Sequence, residues 1–445
     1  MHTPTPSLRR QIWQEYRRSS VAVAALWVLG GLVLIALFAP LLANGLPLYC
    51  VYGGRAHFPA FTPDKQDSLY DLRAGAMRYE RYRDVRDWRA IRLERVVRAP
   101  VPYSPTTSDP ANLRFASPFA RQANPDPLAL PGSPLPLRYR HWLGTNRSGE
   151  DVLAHLIHGT RISLLVGLVA VGLAALIGAL LGSIAGYYGD HRLRLRRGRL
   201  ICLLAGLLPA WFYGFYLRRF VLADAAKTDL PVFLGQVLLC LLITAGILLL
   251  AGGIGRALSR GGPAAKTVPL PVDGIISRLI EVLNSIPLLL LILSISHLFQ
   301  ERSLLLVMAI IGLTGWTGIA RLIRAEFLRI IRLDYMESAR ALGIPERSLI
   351  WRHAFPNGLA PLLVVMAFGM GSAIIIEAGL SFLNIGVPQN LSTWGNLLSQ
   401  SKADILQAWW LALPPSLAIF FTVLSFNLIG ERLRDVLDPR TQTGS

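Results

Sequence analysis

Cysteine and lysine are both scarce in this sequence of 445 residues. The three cysteines, Cys50, Cys202 and Cys240, do not follow the spacing of a zinc site, and two of them fall inside apolar runs. Neither a metal centre nor a disulfide framework is therefore expected. Lysine occurs only four times, so the net charge of +18 comes almost entirely from arginine.

The arginines lack the surroundings that are typical of a nucleic-acid-binding protein. No helix-turn-helix pattern and no face of mixed basic and aromatic residues accompanies them. They cluster instead beside long apolar runs, as the residues that orient a membrane protein do. Nucleic acid is therefore not expected as a partner.

Sequence motifs of enzymes are also missing. The stretch from Gly261 to Thr267 falls short of a phosphate-binding loop, because Ala265 replaces the required glycine and no strand precedes it. No pair of aspartates lies within the apolar runs, and neither the His-Glu-x-x-His motif nor a nucleophile elbow is present. We therefore expect this chain to bind no ATP and to catalyse no reaction.

The nearest approach to a metal site is a group of histidines beside two acidic residues. The group comprises His141, Glu150, Asp151, His155 and His158. Residues of these types are ordinary where a chain enters a membrane, so we predict no metal ligand among them.

Long apolar runs are what the sequence has in abundance, with 53% hydrophobic residues and a mean hydropathy of +0.44. Eight runs approach or reach the length of a membrane span. They cover residues 21–43, 162–185, 200–216, 231–253, 278–297, 304–323, 359–382 and 409–429. The sequence thus predicts an all-α polytopic membrane protein, with residues 21–43 as an uncleaved first transmembrane helix. The run 200–216 is short for a span.

The arginines predict the orientation of these spans. Most lie before the first run, in alternate loops and after the last run, which are cytoplasmic by the positive-inside rule. The short loops on the other side carry only Arg218, Arg219, Lys227, Arg302 and Lys402. Residues 1–20 and the C-terminus are therefore expected in the cytoplasm, and residues 44–160 outside it.

The outer region 44–160 is rich in aromatic residues and predicts a small folded insertion domain. Tyr82, Val85, Trp88 and Ile91 recur every three residues, which favours an amphipathic helix over Met77–Arg98. Its surface would be basic, because nine arginines lie between residues 73 and 98. Residues 99–136 are rich in proline and serine and indicate an irregular connector.

Several residues within the runs suggest specific roles. Gly178, Gly182 and Gly186 repeat at four-residue spacing, so one helix face is smooth enough for close packing. Glu377 is almost the only acidic residue deep inside a run, and it is a candidate for the translocation path with Trp316 and Asn284.

The longest polar interval of the C-terminal half covers about residues 334–357. We predict two short helices there, Glu337–Leu342 and Glu346–Phe355, with a turn at Gly343 and a stop at Pro356. The order Glu-x-Ala-x3-Gly, followed after ten residues by His-x-Phe-Pro, resembles the EAA loop of bacterial ABC importer permeases. The residues that carry this resemblance are Glu337, Ser338, Ala339, Gly343, Ile344, Pro345, His353, Phe355 and Pro356. The resemblance implies that the loop is a coupling helix, which lies in a cleft of a cytoplasmic ATPase subunit.

Two further segments resemble the dipeptide, oligopeptide and nickel class of these permeases, in its C-type chain. One is His141-Trp142-Leu143-Gly144-Thr145-Asn146, and the other is the C-terminus from Glu431 to Arg440. The start of the outer region resembles the microcin C and oligopeptide branch. The resemblance implies a type I permease core over residues 161–440, with a tail at 441–445. The helix pair at about 200–253 and the enlarged periplasmic insertion are additions to that core.

The function implied by the resemblance is ATP-driven import of peptides through the inner membrane by alternating access. The partners implied are a second homologous permease subunit, two cytoplasmic ATPase domains and a periplasmic or lipid-anchored substrate-binding protein. ATP and Mg²⁺ would be used by the partner subunits. The alternative is a secondary transporter or channel that is not coupled to ATPases. The scarcity of acidic residues within the spans counts against it, since ion coupling needs such residues.

Overall fold

The computed structural model describes residues 8–85, 87–126, 128–130, 133–228, 230–261, 265–298 and 303–437. The predicted tail at 441–445, and also Arg86, Arg302 and residues 438–440, lie outside this description. The chain divides into two compact units, residues 1–180 with 282–445 and residues 181–281, which are described separately.

Helices make up most of the described chain. They are α1 Leu8–Arg17, α2 Ser20–Leu42, α3 Val152–Tyr188, α4 Arg197–Trp211, α5 Arg219–Thr228, α6 Leu230–Leu258, α7 Val272–Ser285, α8 Leu288–Leu298, α9 Leu304–Ile330, α10 Asp334–Ala341, α11 Glu346–Ser348, α12 Phe355–Phe382, α13 Trp394–Gln400 and α14 Leu413–Leu437. The strands are β1 Tyr49–Tyr52, β2 Arg55–His57, β3 Gln66–Asp71, β4 Ala76–Arg81, β5 Arg95–Val97, β6 Arg194–Arg196 and β7 Thr267–Pro269.

Seven stretches of the described helices are long and apolar enough to cross a membrane, which confirms the polytopic all-α fold. They are Ser20–Leu42, Val152–Tyr188, Arg197–Ala225, Gly235–Leu258, Leu304–Ile330, Pro361–Phe382 and Trp409–Leu437. An eighth is formed by Val272–Ser285 and Leu288–Ile295, if this pair is one broken span. The span predicted over residues 278–297 falls on this bent pair and stays a prediction. Pro287 lacks an N–H and its ring blocks the preceding turn, and the helix is bent there by 84°.

The outer region contains strands where the sequence predicted a helix. Strand β1 pairs with β2 and β5 in an antiparallel sheet, and β3 pairs with β4 in a hairpin. The predicted helix over Met77–Arg98 is therefore wrong. Its first residues form β4, its last form β5, and the rest is a short 3₁₀ turn and loop.

The apolar spacing in that region has a different cause. Tyr82, Trp88 and Ile91 are buried in one small core with Cys50 and Leu69. The loop wraps around the sheet, and the indole N–H of Trp88 donates to the Tyr82 carbonyl at 3.2 Å. Apolar side chains at every third residue can thus come from a loop whose residues return to the same core, and not only from a helix.

The helix core of the larger unit depends on glycine at one close crossing. A Cβ atom on Gly178 would lie 2.7 Å from Cβ of Ile319, so α3 and α9 could not approach as they do with a larger residue. Gly312 of α9 is equally close to Leu173 of α3. Gly182 and Gly186 are buried farther along α3.

Residues 181–281 form a helix pair joined to a small two-stranded sheet. Strands β6 and β7 pair antiparallel at the base of α4 and α6. The run at 200–216 appeared short in the sequence, yet the helical path continues through a π-helical turn at Phe212–Tyr216 to Ala225. Arg218 and Arg219 do not end it, because Arg218 donates to Gln236 and Arg219 lies over the Tyr216 ring at 4.2 Å.

Candidate functional site

The polar interval between α9 and α12 begins with the short helix α10. Asp334 and Glu337 lie in its first turn, where a negative charge interacts favourably with the helix dipole. Ser338 donates its hydroxyl hydrogen to the Asp334 carbonyl at 2.9 Å. This bond and the two acidic groups stabilise a helix that has only eight residues.

Gly343 closes the end of α10. Its φ is +75°, a left-handed conformation that glycine adopts at little cost. The Gly343 N–H donates to the Arg340 carbonyl at 2.9 Å, and the Ile344 N–H donates to the Ala339 carbonyl at 3.2 Å. This pair of bonds is the Schellman arrangement, which fixes the direction in which the chain leaves the helix.

The second half of the segment is continuous with a long helix. Pro345 precedes α11, a π-helical turn follows over Leu349–Ala354, and α12 begins directly at Phe355. The prediction that Pro356 ends a helix is therefore wrong. Pro356 lies in the first turn of α12, where its missing N–H is tolerated.

The segment presents apolar side chains on both an inner and an outer side. The inner side chains are fully buried and pack the two halves of the segment against the rest of the protein. They are Met336, Leu349 and Ala354. Leu342 and Trp351 point outward, with exposed fractions of 81% and 56%. Large apolar groups held outward on a short rigid helix pair are typical of a surface that another protein covers.

Polar contacts connect the two halves. The Arg340 guanidinium lies 3.7 Å from the Glu346 carboxylate, across the turn at Gly343. Asn357 donates to the His353 carbonyl at 2.7 Å and to the Tyr335 hydroxyl at 3.3 Å. The described contacts therefore join α10 to the start of α12, so that the segment can move as one body.

Glu377 lies inside the helix core, with no exposed surface. Its carboxylate accepts from the Ser381 hydroxyl at 2.7 Å and from the Ser163 hydroxyl at 3.3 Å. The Trp394 N–H points at the same Ser163 oxygen at 3.5 Å. Glu377 thus connects α3, α12 and α13 by hydrogen bonds.

Of the other two candidates for the translocation path, Asn284 lies in α7 just before its break from α8, and Trp316 lies in α9. Trp316 is buried at 5% exposure, whereas Asn284 is exposed. The Thr317 hydroxyl donates to the Asn284 side-chain carbonyl at 3.1 Å. The structure does not bring Glu377 into this pair, and a role of these residues in transport stays a prediction.

Sequence reasoning missed a groove on the face of α12, α13 and α14. Its volume is about 440 Å³, and it opens to the outside of the chain. Ser416 and Asn427 are its polar lining residues, among side chains such as Ile375, Phe420 and Val423. The signal in the sequence is weak and consists of these two polar residues, because a polar residue in a span faces protein or water more often than lipid.

A buried ionic cluster joins the outer region to the start of α3. His141 lies between two carboxylates, with Nδ1 2.7 Å from Asp151 and Nε2 3.1 Å from Asp109, and all three side chains are at most 2% exposed. Burial alone would lower the pKa of His141, but the hydrogen bonds to Asp109 and Asp151 outweigh it and raise that pKa. Burial likewise opposes ionisation of Asp109, yet its bonds to His141 and Asn112 hold its pKa below the usual range.

The other two histidines of this region have separate partners. His155 lies 3.1 Å from Glu150, and His158 lies 2.8 Å from the Ala43 carbonyl. Among the described residues no group of histidine, cysteine and acidic side chains could hold a metal ion.

The chain is similar to known families over most of its length. Residues 257–443 match the family described as "Binding-protein-dependent transport system inner membrane component". Residues 7–74 match the "N-terminal TM domain of oligopeptide transport permease C".

Individual relatives extend this similarity. The "Inner membrane ABC transporter permease protein YejE" of Escherichia coli (strain K12) is 30% identical over 431 residues, which cover 96% of each chain. The "Glutathione transport system permease protein GsiD" of Pectobacterium atrosepticum is 28% identical over 68% of this chain and 74% of its own. The "Dipeptide transport system permease protein DppC" of Alkalihalophilus pseudofirmus is 27% identical over 68% of this chain and 73% of its own.

Proposed function

Because the chain belongs to the family of binding-protein-dependent inner membrane components, as a permease of the peptide class of bacterial ABC importers, we propose that it moves peptides from the periplasm to the cytoplasm. Its family consists of membrane subunits rather than enzymes, and its spans make it a multi-pass protein of the bacterial inner membrane. Relatives named for glutathione, dipeptide and oligopeptide transport support a peptide as the solute.

The observation that carries this proposal is the shape of the segment from Asp334 to Asn357. It is a short helix, closed by Gly343, whose second half continues into the membrane helix α12. Leu342 and Trp351 project outward from it and fit a cleft on another protein. A cytoplasmic ATPase domain supplies that cleft, binds ATP and Mg²⁺, and moves the segment when it closes. The coupling role extends to Glu337, Ser338, Ala339, Ile344, Pro345, His353, Phe355 and Pro356.

The groove on α12, α13 and α14 is the feature that favours a second, homologous permease subunit as a partner. The groove is open and mostly apolar, and its polar groups, Ser416 and Asn427, would face the partner. Two such chains enclose a path between them, which opens alternately to each side as the two ATPase domains close and separate. Glu377 and Trp316 are buried and stabilise the helices that form the walls of this path. Asn284 is exposed and can line the path.

The topology follows from the charges. Both termini lie in the cytoplasm, since arginines flank the first and last spans. The insertion domain, residues 44–160, then lies in the periplasm, where a periplasmic or lipid-anchored substrate-binding protein delivers the peptide. The helix pair at about 200–253 is an addition to the permease domain at 161–440.

The test is peptide uptake into proteoliposomes that contain the full transporter, with ATP supplied inside. Leu342→Asp should abolish ATP-driven uptake and reduce copurification of the ATPase subunits, because a charge replaces the projecting apolar group. Leu406→Asp is the matched control, because Leu406 is also exposed, at 95%, but lies between α13 and α14 on the outer side of the proposed topology. It should leave both readouts near those of the wild type.

Two results would contradict the proposal. Normal uptake by Leu342→Asp would remove the coupling role of this segment. Uptake that continues without ATP and stops when an ionophore dissipates the proton gradient would favour the alternative, a secondary transporter.

A further inference from the structure

The unit formed by residues 181–281 contains a strongly basic cavity at one end of its helix pair. The cavity has a volume of about 480 Å³ and lies where the two-stranded sheet β6–β7 meets α4 and α6. Its lining residues are Arg194, Leu195, Arg196, Arg199, Arg256, Arg260 and Thr267. Five arginines thus line one space, and among the described residues no acidic residue lines it.

The fold of the unit brings these arginines together from distant positions. Antiparallel pairing sets Arg194 opposite Pro269 and Arg196 opposite Thr267, which joins the two ends of the helix insertion. Arg196 also donates to the Ser259 carbonyl at 3.0 Å. The membrane orientation of a helix pair requires basic residues near its end, but it does not require a sheet that gathers them around one cavity.

Arg199 is held in the cavity wall by close helix packing. A Cβ atom on Gly255 would lie 2.6 Å from Cα of Arg199, so α6 comes as near to α4 as glycine allows. The guanidinium lies beside Gly252, and its Nε is buried with no hydrogen-bond partner in the described chain. A buried cationic donor without a partner is unfavourable unless an anion or water satisfies it.

The charge of the cavity is not compensated by any ion pair found among the described residues. Within the described residues, none of the lining arginines makes a salt bridge, whereas arginines elsewhere in the chain pair with Asp or Glu. Guanidinium groups bind phosphate oxygens through paired N–H donors, and Thr267 adds a hydroxyl donor. A phosphate group is therefore the ligand that suits this cavity.

The surface next to the cavity is apolar. Ile201 of α4 and Ile254 and Leu258 of α6 are exposed by more than half, and each lies within one helical turn of a lining arginine. A ligand with a phosphate at one end and acyl chains at the other would contact both surfaces. We propose that the cavity binds the headgroup phosphate of an anionic phospholipid, such as phosphatidylglycerol or cardiolipin.

The experiment measures lipid binding to the intact transporter in a neutral detergent. Phosphatidylglycerol, phosphatidylcholine and inorganic phosphate are titrated separately, with native mass spectrometry and thermal stability as readouts. Phosphatidylglycerol should bind and stabilise at concentrations where the other two do not. The triple variant Arg194→Gln, Arg256→Gln, Arg260→Gln should lower its affinity about a hundredfold, since each arginine near an anionic headgroup contributes roughly fivefold.

The matched control removes three exposed arginines on the same proposed side of the membrane. The variant Arg17→Gln, Arg321→Gln, Arg332→Gln should retain phosphatidylglycerol with little change, because these residues lie outside the unit that holds the cavity. If the first triple variant does not insert, the single variants Arg256→Gln and Arg260→Gln should each lower the affinity about fivefold.

Three outcomes would overturn the proposal. Equal binding of phosphatidylcholine would remove the role of charge. Equal stabilisation by inorganic phosphate would indicate a site for a free anion rather than a lipid. An equal loss of affinity in the control variant would show that the net charge alone attracts the lipid.

Discussion

His141 shows how one buried residue couples the outer domain to the membrane helices. It bridges Asp109, in the irregular connector, and Asp151, which precedes α3 and also accepts from the Ala154 N–H at 2.6 Å. Tyr103 stacks on the imidazole with ring centres 4.2 Å apart. A protonated imidazole donates to both carboxylates at once, so the cluster is stable only when the histidine carries its charge.

The stability of the protein should therefore fall as pH rises. Because the pKa of His141 is raised in the folded state, its contribution is complete below about 6.5, the usual histidine value, and is lost as pH rises through the higher folded value. Asp109 also contributes stability, but its pH dependence has the opposite sign: because its pKa is lowered in the folded state, this contribution is lost only in acid. Thermal unfolding of the full chain between about pH 5 and 9 measures the effect of His141, and an extension of the series below about pH 4 measures the effect of Asp109.

The control for this prediction is His141→Asn. This variant leaves two buried carboxylates without a cation, which should destabilise it by about 3 kcal/mol at neutral pH. Its stability should rise only as pH falls into the carboxylate range, whereas the stability of the wild type should already rise as pH falls through the range in which His141 titrates. The same pH profile in both proteins would contradict the assignment of the effect to His141.

At the scale of elements, the crossing of α3 and α9 offers a direct test of close packing. Gly178→Ala should destabilise the protein by about 1–3 kcal/mol, because the new methyl group would lie 2.7 Å from Cβ of Ile319. Gly172→Ala on the same helix is the control, since no atom lies within 4 Å of its Cβ position. Thermal unfolding in detergent compares the two, and equal stability would show that the helices separate at no cost.

The elements that could be predicted from the sequence are those whose signal is local. Apolar runs of membrane length predicted the spans, because lipid imposes one requirement on every residue of a span. Gly343 predicted its turn, because a left-handed φ favours glycine. The strands of the outer domain could not be predicted from local spacing. Tyr82 and Trp88 are buried in a core whose other members, such as Cys50 and Leu69, lie on strands elsewhere in the sequence. The continuation of the helix past Pro356 also depends on context, since the π-helical turn before it is not visible in the sequence.

At the scale of the whole molecule, the charge of the outer domain differs from what its arginine content suggests. Arg78, Arg81, Arg83 and Arg89 are each paired with an acidic residue. The basic surface that could attract an acidic binding protein is therefore reduced. Arg73, Arg92 and Arg95 remain exposed, and no salt bridge to them is found in the described part of the chain.

Docking of the substrate-binding protein should depend on the unpaired arginines. Changing Arg73, Arg92 and Arg95 together to Ser should slow association with the reconstituted transporter about tenfold at low salt, and the difference should shrink as salt increases. The paired residues Arg81 and Arg83, changed to Ser, are the control and should have a smaller effect. Unchanged association rates at low salt in the triple variant would remove the role of this domain in docking.

The helical path from Glu346 to Phe382 has a mechanical consequence. It runs without a loop for roughly 55 Å at the rise of an α-helix, from the coupling segment to the far end of α12. A continuous helix transmits rotation and translation from one end to the other to the extent that it does not bend. The π-helical turn at Leu349–Ala354 interrupts the regular α-helical hydrogen bonding, so it is the position at which this path bends most easily. Under the proposed coupling role, the stiffness of this turn would set how much of a movement at the coupling segment reaches the far end of α12.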